Sequence, residues 1–197
     1  MSAPVRIGIA GITGRMGRET AAIAANDPRV NLVGGIVRRP PVREDWPDLL
    51  ITTVPDQLLP EIDCLIDLTL PEATGTLAQA AAAHRVPLLC GVTGLGPAEI
   101  AALEAASAAV PVHWSRNLSQ GIPLIARLVR ELAAALGEWD VEIVETHHRG
   151  KREAPSGTAL LLAEAVADGR GQCLERHIVH GRQGDSPRRG GEIGMHA

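Results

Sequence analysis

Three side chains that can bind an anion or transfer a proton stand close together in the segment ETHHRGKREAPSGTA, residues 145–159. His147 and His148 are adjacent, and Lys151 follows three residues later. Histidine has an ordinary pKa near neutrality and can donate a proton, while a lysine ammonium group attracts carboxylate or phosphate. The spacing therefore indicates chemistry on a small acidic molecule. A solvated basic turn is the alternative interpretation.

A helix is predicted directly after these residues. Ser156 is a favourable N-cap, so the helix should begin near Gly157, and Gly169 is expected to end it. A helix start exposes unpaired backbone N–H groups and a partial positive charge, which suit a carboxylate or phosphate. The segment thus combines a candidate proton donor with a candidate anion-binding helix terminus.

The strand before this helix separates the two histidines. In an extended VEIVETHH, alternation places Glu145 and His147 on one face and Thr146 and His148 on the other. The two histidines are therefore expected to have different roles.

A glycine-rich turn near the N-terminus is the second candidate site. Its pattern, GxxGxxG, stands between the first predicted strand and the first predicted helix. Glycines at such a turn let the backbone approach a diphosphate, which then lies on the helix N-terminus. The candidate cofactor-binding residues here are Gly11, Thr13, Gly14, Arg15, Met16 and Gly17. Because the spacing differs from the commoner GxGxxG, a turn without a ligand is the alternative.

The end of the second predicted strand bears on the choice of nucleotide. A dinucleotide fold commonly carries an acidic residue there, which binds the ribose 2′-hydroxyl of NAD. Here Arg38 and Arg39 occupy the position, and no acidic residue lies between them and Glu44. Arginines can pair with a 2′-phosphate. We therefore expect NADPH to be preferred, with NADH use possible; solvated loop charges are the alternative.

The order of the predicted elements indicates how these sites are positioned. Strand-like and helix-like segments alternate up to about residue 115, which favours an α/β, Rossmann-like fold with a doubly wound parallel sheet. The expected strands are residues 5–11, 30–37, 64–70, 87–93 and 110–115, with a possible short strand at LLITT. The expected helices are residues 15–25, 72–83 and 97–109.

The pattern changes at Asn117. A predicted helix at residues 121–136, closed by Gly137, is followed by a strand, a helix and a strand, which predicts a smaller α+β domain. One stripe of the first helix is apolar, formed by Ile122, Ile125, Leu128, Val129, Leu132 and Leu136. We therefore divide the chain into a dinucleotide-binding domain, residues 1–116, and a substrate-binding and oligomerisation domain, residues 117–197.

Composition narrows the class of protein. The 197 residues carry a net charge of −4, which gives no argument for nucleic acid or an anionic membrane as a partner. No apolar run approaches the ~20 residues needed to span a bilayer, and the N-terminus has no signal-peptide layout. These features together favour a cytoplasmic location. The cysteines and the other histidines lack metal-ligand spacing, so we expect no metal. Cys64 and Cys90 lie in apolar, strand-like runs, so we expect them to be buried, reduced thiols.

Several segments together resemble one family. Residues 145–159 resemble the signature of the dihydrodipicolinate reductase (4-hydroxy-tetrahydrodipicolinate reductase) family, close to E-x-H-H-x-x-K-x-D-A-P-S-G-T-A, with Glu153 where the family usually has aspartate. The segment GITGRMGRE resembles the family's opening motif. Residues 91–94, GVTG, are similar to its G-T-T-G loop over the nicotinamide, with Val92 in place of the first threonine. Residues 115–119, SRNLS, resemble its N-[FM]-S segment.

The resemblance implies roles for these residues. His147 would donate the proton, and Lys151 would stabilise developing charge or assist protonation. His148 would contact the substrate or orient its partner, and a substrate carboxylate would be held at Ser156, Gly157 and Thr158. Further cofactor contacts would come from Gly91, Thr93, Ser115, Asn117 and Leu118.

The implied activity is the NAD(P)H-dependent reduction of 4-hydroxy-tetrahydrodipicolinate to tetrahydrodipicolinate, in lysine and diaminopimelate biosynthesis. It transfers a hydride to a cyclic dicarboxylic imine and protonates the ring. A nucleotide-binding module without competent catalysis, or another NAD(P)-dependent dehydrogenase of related fold, is the alternative. The family forms a homotetramer and continues beyond the segment GEIGMHA, so the resemblance also implies that the second domain lacks its C-terminal part.

Overall fold

The structure is a computed structural model that describes residues 3–39, 46–151 and 154–197. The chain divides into two compact units, Met1–Arg116 and Asn117–Ala197. Each unit has its own sheet: six strands in the first unit and three in the second.

The first unit is built on a parallel sheet. Its strands are β1 (Val5–Ala10), β2 (Val30–Ile36), β3 (Leu50–Thr52), β4 (Cys64–Asp67), β5 (Leu88–Cys90) and β6 (Val112–Trp114). Their spatial order is β3-β2-β1-β4-β5-β6, and every pair is parallel. This order reverses between β1 and β4, which is the switch point of a doubly wound sheet. The predicted α/β, Rossmann-like fold is therefore confirmed.

Helices connect these strands. They are α1 (Arg15–Ala24), α2 (Pro55–Leu58), α3 (Pro71–His84) and α4 (Pro97–Ser107), with a 3-10 turn at Leu59–Glu61. The three longer helices were predicted. The helix α2 was not, because four residues beginning with proline are too few to show a helical period.

The core of the first unit is aliphatic. Ile9, Ile12, Leu58 and Leu65 are completely buried, as expected for a chain without phenylalanine or tyrosine. Branched and linear aliphatic side chains fill such an interior at crystal-like density. Cys90 also lies in this core, and burial raises the pKa of its thiol to about 11, as expected for an unreactive cysteine.

The second unit is a small sheet with helices. Its elements are α5 (Gly121–Ala135), β7 (Val141–Val144), α6 (Gly157–Arg170), α7 (Leu174–His177), β8 (Ile178–His180) and β9 (Ile193–His196). The strands are parallel in the order β7-β9-β8. The predicted α+β character of this region is confirmed. The helix α7 was missed, again because it has only four residues.

One helix end differs from the prediction. The helix α6 continues through Gly169 and ends at Arg170, with Gly171 as the left-handed residue at φ 65°. Gly169 is needed for packing instead, because a Cβ at this position would overlap the carbonyl oxygen of Arg130 on α5. The prediction that Gly169 ends the helix is therefore wrong, because this glycine lets α5 and α6 approach closely.

The apolar stripe of α5 is mostly exposed. Leu128 and Leu132 are 46% and 58% exposed, whereas Ala133 is buried and Val129 is partly buried in the cluster around α6. The small residue Ala133 makes the close contact with α6, so the larger apolar side chains of α5 lie outside that contact.

Candidate functional site

The glycine-rich turn joins β1 to α1 through close backbone contacts. Gly11 has φ 81°, a conformation that suits glycine, and its N–H donates to the carbonyl of Ile36 at 2.8 Å. A Cβ on Gly11 would lie 2.7 Å from the carbonyl oxygen of Leu68. A Cβ on buried Gly17 would overlap the carbonyl oxygen of Gly11. The turn therefore requires glycine at both positions.

The N-terminus of α1 is open to a ligand. Its N-cap is Gly14, which is extended and provides no capping side chain. Within the described residues, no protein acceptor contacts the N–H groups of Arg15 and Met16. Thr13 and both of these residues are exposed. An anion at this position would be stabilised by the unpaired N–H groups and the helix dipole.

The tip of β2 carries the two predicted arginines. Val37 is buried and its N–H donates to the carbonyl of Thr52 at 2.9 Å, and Arg38 and Arg39 then emerge as exposed side chains. The residues that follow, including Glu44, lie outside the described part of the chain. Both arginine side chains are therefore exposed at the C-terminal end of β2.

The loop after β5 is tied to neighbouring strands. The N–H of Gly91 donates to the carbonyl of Asp67 at 2.9 Å, and Thr93 is exposed beside Gly94, which has φ 72°. Val92 is 3% exposed, and its carbonyl accepts the indole N–H of Trp114 at 3.0 Å. The valine that replaces the family's threonine is therefore a core residue here.

Sequence reasoning overlooked Asp67, a completely buried carboxylate at the end of β4. It accepts the Thr69 N–H at 3.0 Å, the Thr69 hydroxyl at 2.6 Å and the Thr74 hydroxyl at 3.0 Å. These bonds satisfy a buried polar group, which would be costly without partners, and they fix the loop that leads into α3. A lone aspartate in an apolar strand gave no periodic signal.

The three predicted cofactor residues after β6, namely Ser115, Asn117 and Leu118, differ in their contacts. The N–H of Ser115 donates to the carbonyl of Cys90 at 3.0 Å. In the second unit, the Asn117 amide donates to the Thr158 hydroxyl at 3.0 Å, and its oxygen accepts the Ser119 N–H at 2.8 Å. Leu118 is 44% exposed. Asn117 thus positions a residue at the start of α6.

The N-terminus of α6 has the predicted cap. Ser156 is buried and extended, with φ −70° and ψ 158°, and its hydroxyl accepts the Ala159 N–H at 3.1 Å. In the part of the chain that the structure describes, the N–H groups of Gly157 and Thr158 contact no protein acceptor. Two N–H donors and the positive end of a 14-residue helix are suited to one carboxylate.

Glu145 connects this helix to the histidine. Its Oε1 accepts the Ser156 N–H at 2.6 Å, and its Oε2 lies 2.9 Å from Nε2 of His147. Burial alone would raise the pKa of Glu145, but the hydrogen bonds from Ser156 and His147 bring that pKa below its ordinary value. Glu145 was singled out only for its face of the strand, because its second partner is eleven residues away.

The other predicted residues form a turn after β7. Nδ1 of His148 accepts the Gly150 N–H at 3.1 Å, and the His148 carbonyl accepts the Lys151 N–H at 3.0 Å. His148 is exposed and Lys151 is half-buried. The two histidines therefore have different partners, but β7 ends at Val144, so both lie beyond the strand in which the sequence placed them.

A separate ion network covers the small sheet. Glu142 is 2.8 Å from Nε of Arg188 and 2.7 Å from Nε2 of His196, and Arg182 pairs with Glu192 at 2.7 Å. The hydrogen bonds from His196 and Arg188 lower the pKa of Glu142. These pairs connect β7 to β9 and to the loop between β8 and β9, which carries Arg182 and Arg188.

The described residues lack a metal-binding cluster and a membrane-spanning helix. Among them, no cluster of three or more histidine, cysteine, aspartate or glutamate side chains could hold a metal ion. None of the helices described here is long and apolar enough to cross a bilayer.

Solved structures share this fold. A dipicolinate-bound dihydrodipicolinate reductase from Paenisporosarcina sp. TG-14 superposes with a TM-score of 0.69 at 20% identity, over 98% of this chain and 78% of that one. A myo-inositol 2-dehydrogenase from Lactobacillus plantarum gives 0.54 at 16% identity, over 71% of this chain and 44% of that one. At such identities the likeness shows the fold alone.

Sequence relatives are much closer. The 4-hydroxy-tetrahydrodipicolinate reductase of Rubrobacter xylanophilus is 44% identical over 201 residues, which cover 98% of this chain and 76% of that protein. The enzyme of the same name from Thermomicrobium roseum is 41% identical, over 98% and 77%. The family model for the dihydrodipicolinate reductase N-terminus matches residues 5–118, and that for the C-terminus matches residues 121–197. The chain belongs to the dihydrodipicolinate reductase family.

Proposed function

We propose that this protein is a nicotinamide-dependent oxidoreductase that reduces 4-hydroxy-tetrahydrodipicolinate to tetrahydrodipicolinate, a step of lysine and diaminopimelate biosynthesis. The observation that carries the proposal is that one chain has two open helix N-termini of different construction. That of α1 follows a glycine turn suited to a diphosphate, and that of α6 is joined through Glu145 to His147. The curated relatives carry the name of this activity.

The residues of the first unit fit a dinucleotide. Gly11 and Gly17 let the turn pack tightly against neighbouring backbone, and the uncapped start of α1 leaves the N–H groups of Arg15 and Met16 for a diphosphate. When bound, the nicotinamide nucleotide supplies the hydride. Thr13, Gly14, Gly91, Thr93 and Ser115 complete the proposed contacts.

We propose that the nucleotide is NADPH rather than NADH. Arg38 and Arg39 are exposed at the tip of β2, and each can pair with a 2′-phosphate. Such charge-assisted bonds contribute roughly 1.5–3 kcal/mol when well formed, and less when the arginines stay solvated.

The substrate is a small dicarboxylate, and the second unit provides donors for it. The N–H groups of Gly157 and Thr158 would hold one carboxylate, while Lys151 would stabilise negative charge that develops during reduction. His148 borders the same turn. Asn117 fixes the hydroxyl of Thr158, so we assign it to positioning of this site as well as to the family's cofactor segment.

His147 is the proposed proton donor. The 4-hydroxyl group would leave with a ring hydrogen as water, the hydride would add to a carbon of the resulting unsaturated ring, and the proton from His147 would neutralise the charge that the ring gains. Proton transfer by a positioned side chain contributes roughly 10²–10⁴-fold in rate. The proposal also includes a homotetrameric assembly and a cytoplasmic location, which family membership supports.

Turnover tests the proposal directly. Freshly generated 4-hydroxy-tetrahydrodipicolinate is added to the protein with NADPH, and absorbance at the NADPH band is followed. We expect oxidation that depends on both compounds and yields tetrahydrodipicolinate. NADPH binding without turnover, at any substrate concentration, would instead identify a nucleotide-binding module, and turnover of an unrelated alcohol or imine alone would identify another dehydrogenase.

A further inference from the structure

The Glu145 carboxylate divides its two oxygens between two elements of the second unit. Oε2 lies 2.9 Å from Nε2 of His147, and Oε1 accepts the N–H of Ser156 at 2.6 Å. The side chain is 12% exposed, and the Glu145 N–H donates to the carbonyl of His196 at 2.9 Å. Backbone and side chain are therefore both held, so the carboxylate has little freedom to turn away from either partner.

The Ser156 contact resembles a capping box in which the glutamate comes from outside the helix. In an ordinary capping box, a glutamate three residues into the helix bonds the N–H of the N-cap residue. Here that N–H is bonded by Glu145, eleven residues earlier, while the Ser156 hydroxyl caps Ala159. The arrangement leaves the N–H groups of Gly157 and Thr158 for a ligand.

The His147 contact fixes a tautomer. An ionised carboxylate only accepts hydrogen bonds, so Nε2 of His147 must carry a hydrogen. The neutral ring then has its unprotonated nitrogen at Nδ1. A carboxylate that binds one nitrogen of an imidazole orients the ring and leaves the other nitrogen for proton transfer, as in known acid–base sites.

We propose that Glu145 is a positioning residue that holds His147 in the Nε2–H tautomer and fixes the N-cap of the anion-binding helix with the same carboxylate. The proposal rests on the proposed function for its catalytic meaning. Its structural part, the tautomer, is independent of any activity.

The proton step follows from this geometry. The imidazolium form of His147 donates from Nδ1: the Nδ1–H bond breaks, the proton bonds to the substrate, and the electron pair stays on Nδ1. The ring is left as the neutral Nε2–H form, which Glu145 already binds. No reorientation of the ring is needed during the transfer.

Neighbouring charges have other partners within the described residues. On β7, Glu142 is paired with Arg188 and His196, and on the loop after β8, Arg182 is paired with Glu192. His148 accepts a backbone N–H from Gly150. Glu145 is thus the carboxylate that contacts His147 in this part of the chain.

Replacing Glu145 with glutamine separates the two contacts. The Ser156 N–H requires an acceptor, so the amide oxygen turns to Ser156 and the amide NH₂ turns to Nε2 of His147. Neutral His147 must then accept at Nε2 and carry its hydrogen on Nδ1, the reverse tautomer. We expect E145Q to keep the helix cap, to lower kcat about a hundredfold or more, and to change the substrate KM by only a few-fold.

The experiment records two-bond ¹H–¹⁵N correlations of histidine-labelled protein, with His147 assigned from the H147Q variant. The unmodified protein should show the Nε2–H pattern and E145Q the Nδ1–H pattern. Glu138→Gln, an exposed glutamate before β7, controls for loss of charge and should change neither the tautomer nor kcat. Glu145→Asp, which keeps a carboxylate on a shorter side chain, should retain the Nε2–H tautomer in part.

Each outcome decides the proposal. An Nδ1–H tautomer in the unmodified protein, or an Nε2–H tautomer retained in E145Q, would overturn it, as would a reversed tautomer with unchanged kcat. If the unmodified protein does not turn over the cyclic imine at all, the proposed function fails, while the tautomer still shows whether Glu145 sets the ring.

Discussion

The two candidate sites are both helix N-termini, but their caps are built differently. The helix α1 begins at Gly14, which has no side chain to offer, whereas α6 begins at Ser156, whose hydroxyl occupies the Ala159 N–H. A bare N-terminus on a glycine turn can accept a large diphosphate by backbone contacts alone. At the N-terminus of α6, the Ser156 hydroxyl and Glu145 already bind two N–H groups. The two N–H groups that remain suit a single carboxylate. The difference suggests that cap chemistry selects the size of the anion.

The largest effect should separate proton donation from nucleotide binding. We expect His147→Gln and Lys151→Ala each to lower kcat strongly, by about 10²–10⁴-fold for the histidine, with the NADPH dissociation constant changed only a few-fold. Steady-state kinetics and NADPH fluorescence titration measure the two quantities. The exposed His180→Gln is the matched control, and near-normal kcat in either variant would remove that residue from the chemistry.

The next largest effect should be on NADPH binding at the glycine-rich turn of the first unit. Gly17→Ala places a Cβ against the carbonyl of Gly11 and should displace the turn. Loss of one charge-assisted hydrogen bond, roughly 1.5–3 kcal/mol, weakens NADPH binding about tenfold to a hundredfold. Gly14→Ala, whose Cβ would be 3.2 Å from the same oxygen, should have a smaller effect. Fluorescence titration with a urea unfolding curve measures this; equal NADPH affinity in all three proteins would contradict it.

A smaller effect concerns the 2′-phosphate. We expect NADPH to be preferred over NADH about tenfold or more in kcat/KM, because Arg38 and Arg39 can form charge-assisted bonds of roughly 1.5–3 kcal/mol each. Arg38→Glu should narrow or invert this preference, since a carboxylate repels the phosphate and accepts the ribose hydroxyls. Kinetics at low salt and matched pH test it. Equal use of both nucleotides by the unmodified protein would show that these arginines do not read the phosphate.

The smallest effect should come from the cap of α6. Ser156→Ala removes the bond to the Ala159 N–H and should lower the free energy of unfolding by about 1 kcal/mol, the usual value of an N-cap. NADPH affinity should be unchanged. Urea unfolding followed by circular dichroism measures the difference, with Ser156→Thr as a control that keeps the hydroxyl. A variant as stable as the unmodified protein would show that the cap bond contributes nothing.

Features set by neighbouring residues were predictable. The parallel sheet follows from alternating apolar strands and helices, and the turn at Gly11 and the cap at Ser156 follow from local backbone chemistry. Gly169 was misread because its close contact with α5 involves a residue 39 positions earlier, Arg130. The same limit applies to Glu145 and to Asn117, whose partner Thr158 is 41 residues away. The features that could not be predicted therefore depend mostly on contacts between residues that are far apart in the sequence.

The central claim, that the two helix N-termini bind different anions, is tested most directly by a pair of proline variants. Proline at the first helical position removes one N–H and suits helix geometry, and it requires an extended preceding residue. Gly14 (φ −72°, ψ 166°) and Ser156 (φ −70°, ψ 158°) both meet that requirement. The variants are therefore Arg15→Pro and Gly157→Pro, with Arg15→Ala to account for the lost side chain.

The measurement is calorimetric titration with NADPH, and with dipicolinate at saturating NADPH. Losing one hydrogen bond to a charged group, roughly 1.5–3 kcal/mol, predicts NADPH binding about tenfold to a hundredfold weaker for Arg15→Pro than for Arg15→Ala, with dipicolinate affinity retained. Gly157→Pro should weaken dipicolinate about tenfold and leave NADPH unchanged. If both proline variants weaken the same ligand, or neither weakens any, the assignment of one anion to each helix is wrong.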